Sequence, residues 1–145
     1  MILPTYISSS TQTKAYSLLR KHAYGVLSRF DINATYWSML GVIFDAKDGI
    51  RQVEIAKTLH VKAPLVTLMS QELQGKGLIK VAQNQFDARA KLLAVTADGK
   101  KFIKTVETEL HSELLKLLDG LTEADMITYH KVLSTIITND SLLEK

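Results

Sequence analysis

A chain of 145 residues, 46% hydrophobic and carrying a net charge of +3, is long enough to bury one core without metals or crosslinks. It has no cysteine, which excludes disulfides, thiolate catalysis and thiol redox sensing together. No run approaches the roughly 18 apolar residues of a membrane span, and the opening "MILPTYISSSTQTK" lacks the basic segment and apolar run of a secretory signal, so a soluble cytoplasmic protein with no membrane partner is expected.

Taken in chain order, Tyr16, Leu19, Ala23, Val26, Leu27 and Phe30 recur at three- and four-residue steps and predict a first amphipathic helix over 13–29. Asn33 suits the N-cap of a second helix through "ATYWSMLGVIFDA", with Trp37, Leu40, Ile43 and Phe44 inward and Gly49 at its exit. "GIRQVEIAKTLHV" predicts a short third helix with Ile55, Ala56 and Leu59 on one face, and a tight turn follows. Lys62 to Gln74 forms the fourth, with Ala63 and Pro64 in its first turn, where the missing proline N–H costs nothing. Gly75 and Gly77 stop it.

The period then shortens. "LIKVA" and "KLLAVT" predict the strands of a hairpin whose long tip is "QNQFDARA". Thr96 caps a fifth helix that runs to Gly120 through Phe102, Val106, Leu110, Leu114, Leu117 and Leu118. Thr122, with Asp125 in the capping-box position, opens a sixth carrying Met126, Tyr129, Val132, Leu133, Ile136 and Ile137. The terminal helices hold more apolar surface than a small central unit covers, so a two-fold homodimer is expected.

Charge is distributed unevenly. Residues 51–104 hold ten Lys/Arg against four acids, whereas residues 105–145 hold three Lys against eight acids. A basic middle suits a polyanion.

Two helices joined by a tight turn and followed by a hairpin form the order of a winged helix-turn-helix, in which the second helix enters the major groove of double-stranded DNA. With Ala56 at the helix crossing, the packing positions fall on Ile55, Leu59, Val61, Val66 and Met69, all apolar. Glycine is common at the turn, but His60 stands there, a residue less at ease in a left-handed conformation.

On "QVEIAKTLHVKAPLVTLMSQELQGKGLI" and the wing "FDARAKLLAVTADGKK", with Asp87-x-Arg89 and Leu93-x-Val95-Thr96-x-x-Gly99, the chain resembles the MarR family of transcriptional regulators over nearly its whole length. The resemblance implies a mainly α fold with a small β-hairpin wing. It further implies dimerisation helices over 1–32 and 105–145, a DNA-binding unit over 33–104, pseudo-palindromic operators and release by a small aromatic or anionic effector. It assigns Arg89 to the minor groove and Asp87 to fixing the wing. Three features depart from the family pattern: Leu68, Ala88 and the stretch Val81 and Ala82 stand where the family often carries Arg. Each lost cation weakens DNA binding broadly.

The candidate DNA contacts are therefore Arg51, Lys62, Ala63, Pro64, Leu65, Thr67, Leu68 and Gln71, with Asn84, Gln85, Asp87, Arg89 and Lys91 in the wing. Gln71 can pair with adenine, Thr67 can donate or accept, and Ala63, Leu65 and Leu68 can pack on thymine methyls, a combination suited to A·T-rich half-sites. Positive charge is expected at Lys62, Lys76, Arg89 and Lys91. Tyr24, Arg29 and Tyr36 are the candidate ligand residues, since rings and a cation suit a phenolic carboxylate; Trp37 is assigned to the core. No nucleophile elbow, phosphate loop or carboxylate pair supports an enzyme, and no cofactor is implied. His22, His60, His111 and His130 are scattered, and Glu107 with His111 reads as a surface pair rather than a zinc site.

Overall fold

The structure, a computed structural model, describes residues 4–83, 87, 89 and 91–144. Helix α1 runs Thr5–Leu27 and continues as a 3₁₀ turn over Ser28–Phe30. It begins well before the expected Thr13, with Pro4 entering at φ −53°. The added turns are rich in Ser and Thr and bury nothing, so no periodicity announces them. Their hydroxyls bond locally instead, Ser10 Oγ donating to the Ile7 carbonyl at 3.1 Å.

Helix α2 spans Ala34–Asp45, and the Asn33 side chain accepts from the Thr35 and Tyr36 amides. Met39, Leu40 and Ile43 are buried on it, while Phe44, expected inward, is 44% exposed. The buried stripe is centred near Ile43 rather than Leu40, so Met39 is covered and Phe44, on the far side of Leu40, is not. Gly49 follows at φ +99°, where a Cβ would come within 2.9 Å of Leu92 Cβ; no side chain fits that bend.

Helices α3 (Gln52–Leu59) and α4 (Ala63–Gly75) cross, and the antiparallel strands β1 (Ile79–Gln83) and β2 (Lys91–Val95) pair from Ile79↔Val95 to Gln83↔Lys91. Ile50 adds a bridge to Leu93, with N···O distances of 3.0 and 2.8 Å. Helix α5 (Ala97–Leu115) starts where the Thr96 hydroxyl donates to the Gly77 carbonyl at 2.6 Å and accepts from the Gly99 amide at 2.9 Å. At Gly99 a Cβ would lie 2.0 Å from the Leu78 carbonyl oxygen. Only glycine lets α5 approach β1 this closely.

The core gathers Val26 and Leu27 of α1, Met39, Leu40 and Ile43 of α2, Ile55, Val66, Met69, Leu73, Leu78, Ile79 and Leu93, with Val106 and Leu110 of α5. Each such side chain contributes about 1.5–3 kcal/mol when fully buried. The one buried polar side chain among the described residues, Ser70, donates to the Val66 carbonyl at 2.7 Å.

The chain divides into two compact units, Met1–Leu114 and Leu115–Lys145. The second consists chiefly of helix α6 (Glu123–Leu143), opened by a capping box in which Thr122 Oγ1 accepts from the Asp125 amide at 3.2 Å and Asp125 Oδ2 accepts from the Thr122 amide at 2.8 Å. α5 ends at Leu115, short of the expected Gly120, because a turn follows in which the Leu118 amide donates to the Leu115 carbonyl at 3.2 Å. No residue of α6 is buried, and among the described residues no helix is long and apolar enough to cross a membrane.

Candidate nucleic-acid interface and adjoining cleft

The turn between α3 and α4 closes on His60 in the left-handed region at φ +52°. Its amide donates to the Lys57 carbonyl at 3.3 Å, and the Val61 amide to the Ala56 carbonyl at 3.1 Å. Histidine adopts this conformation at a cost of roughly 1–2 kcal/mol relative to the right-handed one, offset by packing of Leu59 and Val61 on the core. Lys62 then enters α4 extended, with no side-chain cap and Pro64 in the first turn.

Burial divides α4 cleanly. Val66, Met69, Ser70 and Leu73 are fully buried, whereas Lys62, Ala63, Pro64, Leu65, Thr67, Leu68 and Gln71 are exposed. The structure thus brings seven of the expected contact residues onto one face. Leu65 is 40% and Leu68 51% exposed, so both leucines face away from the core although their chemistry would place them in it.

Charge along this face is sparse. Arg51 precedes α3, with its guanidinium 3.7 Å from the Glu54 carboxylate and its amide donating to the same group at 3.0 Å. Lys76, expected to supply free charge, instead bonds the Asp31 carboxylate and carbonyl, both at 2.8 Å. The Lys76 hydrogen bond, then its charge, holds the Asp31 carboxyl below the ordinary 3.8. The Thr67 hydroxyl shares its proton between Gln52 Oε1 and the Ala63 carbonyl, both at 3.2 Å, which leaves it to act outward as an acceptor. Gln52 was not foreseen: it stands fifteen residues from Thr67, and no local spacing links them.

In the wing, the Asp87 carboxylate accepts from the Arg89 amide at 3.0 Å, a short-range bond that turns the backbone at the tip. Arg89 and Lys91 are exposed. Asn84 and Gln85, and the departure at Ala88, lie outside the described residues.

Tyr24 and Tyr36 line one cleft of about 400 Å³ with Asp31, Glu72 and Lys76. The cleft is formed by the end of α1, the start of α2 and the last turns of α4. The Glu72 carboxylate beside the Tyr36 hydroxyl, by hydrogen bonding first, then desolvation and the carboxylate's charge, raises the phenol above its ordinary 10.0. Arg29 is not brought to the two tyrosines. It lies 3.3 Å from Glu109 of α5 and borders a different hollow, beside the 2.7 Å contact between His22 Nδ1 and Glu113. Trp37 packs on the core. Among the described residues no three His, Asp or Glu side chains gather as metal ligands.

This architecture defines a winged helix-turn-helix. Residues 32–91, from the start of α2 into the wing, match the model of the MarR family. That stretch is therefore similar to the winged helix-turn-helix of the MarR family.

Solved structures extend the likeness beyond this stretch. CouR from Rhodococcus jostii RHA1, bound to p-coumaroyl-CoA, aligns at TM-score 0.75 and 18% identity over 86% of this chain and 87% of that one. Wild-type MarR from E. coli in its apo form aligns at TM-score 0.72 and 23% identity over 94% and 98%. A point mutant of MepR from S. aureus, bound to an oligodeoxyribonucleotide, aligns at TM-score 0.65 and 22% identity over 91% and 96%. At these identities the likeness is one of fold.

Proposed function

We propose that the protein is a homodimeric transcriptional repressor that binds a pseudo-palindromic operator and is released by a small molecule. The observation that carries this reading is the divided surface of α4, buried along Val66, Met69 and Leu73 and open along Lys62 to Gln71. In the proposed complex α4 lies in the major groove, Gln71 and Thr67 meet base edges, Ala63, Leu65 and Leu68 meet thymine methyls, and the exposed Arg89 and Lys91 follow phosphate or the minor groove. Arg51 contacts backbone if it exchanges Glu54 for phosphate. The wing positions Asn84 and Gln85 complete the proposed set.

Dimerisation is assigned to residues 1–32 and 105–145, with 33–104 as the reading unit. In support, Tyr129, Val132, Leu133, Ile136 and Ile137 of α6 are all at least 40% exposed, as are Tyr6, Ile7, Tyr16 and Leu18 of α1. Such a stripe is stable in water when a second copy covers it. The effector is a small aromatic ligand in the Tyr24 and Tyr36 cleft. Because Glu72 belongs to α4 and Lys76 is its C-cap, a ligand there contacts the reader helix itself and can bias its placement.

One observation favours a different class. Exposed Leu65 and Leu68 also suit a protein partner, with DNA binding weakened by the missing arginines. Titration of the purified protein against its own upstream DNA across a salt series separates the two. The repressor reading expects specific binding and, in Arg89→Ala, a log–log salt slope lower by about one. No specific binding at low salt, or an unchanged slope in the mutant, would count for the protein partner.

A further inference from the structure

The cleft at Tyr24 and Tyr36 has the wrong sign for a carboxylate. Its charged groups are Asp31, Glu72 and Lys76, and Lys76 is already held at 2.8 Å by the Asp31 carboxylate. Arg29, the cation that would balance an anion, stands with Glu109 at 3.3 Å on another side of α1. One negative charge is left over, and it resides on Glu72. Glu72 and Tyr36 line the cleft together, and an ionised carboxylate offers about four acceptor sites. An incoming anion would meet Glu72 with like charge and would have to break the Lys76 pair to find a partner.

We propose that this cleft takes a small organic cation, an aryl or alkyl ammonium, held by the Glu72 carboxylate and by the ring faces of Tyr24 and Tyr36. The chemistry is that of a cation over electron-rich rings, completed by one carboxylate. The cleft volume of about 400 Å³ falls within the range of small-molecule sites. Tyr24 is 68% exposed, so its ring is free to close over the ligand. The inference rests on the ligand-responsive reading above and reverses the sign of the expected effector.

Calorimetric titration of the full chain with benzyltrimethylammonium, beside phenylacetate as an anion of similar size, tests it in the absence of DNA. The ammonium is expected to bind and phenylacetate to bind more weakly or not at all. Glu72→Gln is expected to weaken the ammonium by about tenfold, the scale of one charge-assisted contact, and Tyr24→Leu, at an exposed ring, to weaken it as well. Phenylacetate binding as tightly as the ammonium, no binding of either, or wild-type affinity in both variants would overturn the proposal. Operator titration of the same preparation judges the regulatory reading separately: intact operator binding without ammonium binding defeats only the ligand class.

Discussion

Helices α4 and α6 carry the same three- and four-residue apolar spacing and meet opposite fates. In α4 the stripe of Val66, Met69 and Leu73 is fully buried, while in α6 the stripe of Tyr129, Val132, Leu133, Ile136 and Ile137 is at least 40% exposed throughout. Spacing of this kind locates an apolar face but does not say what covers it. For α4 the cover is the core built from α1, α2, α3, α5 and the hairpin. For α6 it has to come from elsewhere, and a second copy is the proposed source. The two helices also start differently: α4 enters from Lys62 with no side-chain cap, and α6 from the Thr122 and Asp125 box.

The largest expected effect lies on the buried side of this contrast. Leu40→Ala removes a side chain with no solvent exposure and should cost about 2–5 kcal/mol, read by urea unfolding. A loss below about 1 kcal/mol would mean that α2 packs less tightly than described. On the open side, Ile136→Asp should leave the unfolding free energy of the winged helix within about 0.5 kcal/mol and abolish association. Sedimentation should then give the 16.2 kDa of a single chain, where the wild type is expected to sediment as twice that mass. A monomeric wild type would remove the second copy as the cover for α6.

A smaller effect isolates the start of α6. Thr122→Ala removes the hydroxyl that accepts from the Asp125 amide and should cost about 1 kcal/mol of helix stability. Amide hydrogen exchange should show the loss within α6 and leave α4 protected. Equal loss in both helices would mean that the two unfold as one cooperative unit.

Much of the reading unit was legible because its signals are local. Asn33 caps its own helix within three residues, Pro64 marks a first turn, and Thr96 with Gly99 sets the entry to α5 through bonds spanning no more than nineteen residues. Where an outcome depended on distant partners, the sequence was silent. Phe44 and Met39 differ by which flank of the stripe the fold covers. Lys76 meets Asp31 across forty-five residues, and Arg29 meets Glu109 across eighty, so neither neutralisation is visible in the chain. The first turns of α1 carry Tyr6 and Ile7 but no repeating apolar face that would have announced them. For the candidate site, residue types on the outer face of α4 were readable, but the charge balance around them and in the tyrosine cleft was not.

The smallest expected effect uses pH to compare the two units. The Asp31 carboxyl is held below 3.8 by Lys76, and the Asp125 carboxyl below 3.8 by hydrogen bonds from Thr122. A carboxyl whose folded pKa is depressed contributes stability that is present above its unfolded pKa and disappears as pH falls through the folded one. Lys76→Gln removes the cause at Asp31, so the mutant should trail the wild type at neutral pH and converge with it in the window below 3.8. The gap should be constant above about pH 5, where both forms are ionised. High salt should narrow it, because the pair is exposed and screened. Thr122→Ala should lose at acid pH only the part of its deficit that comes from the hydroxyl's bond to the Asp125 carboxylate, confined to the amides of α6, because Asp125 lies in the second unit and Asp31 in the first. Exchange measured across acid pH therefore assigns each carboxyl to its own unit. A Lys76→Gln deficit that persisted unchanged to acid pH would mean that Lys76 stabilises the end of α4 by packing its aliphatic stem rather than by its charge.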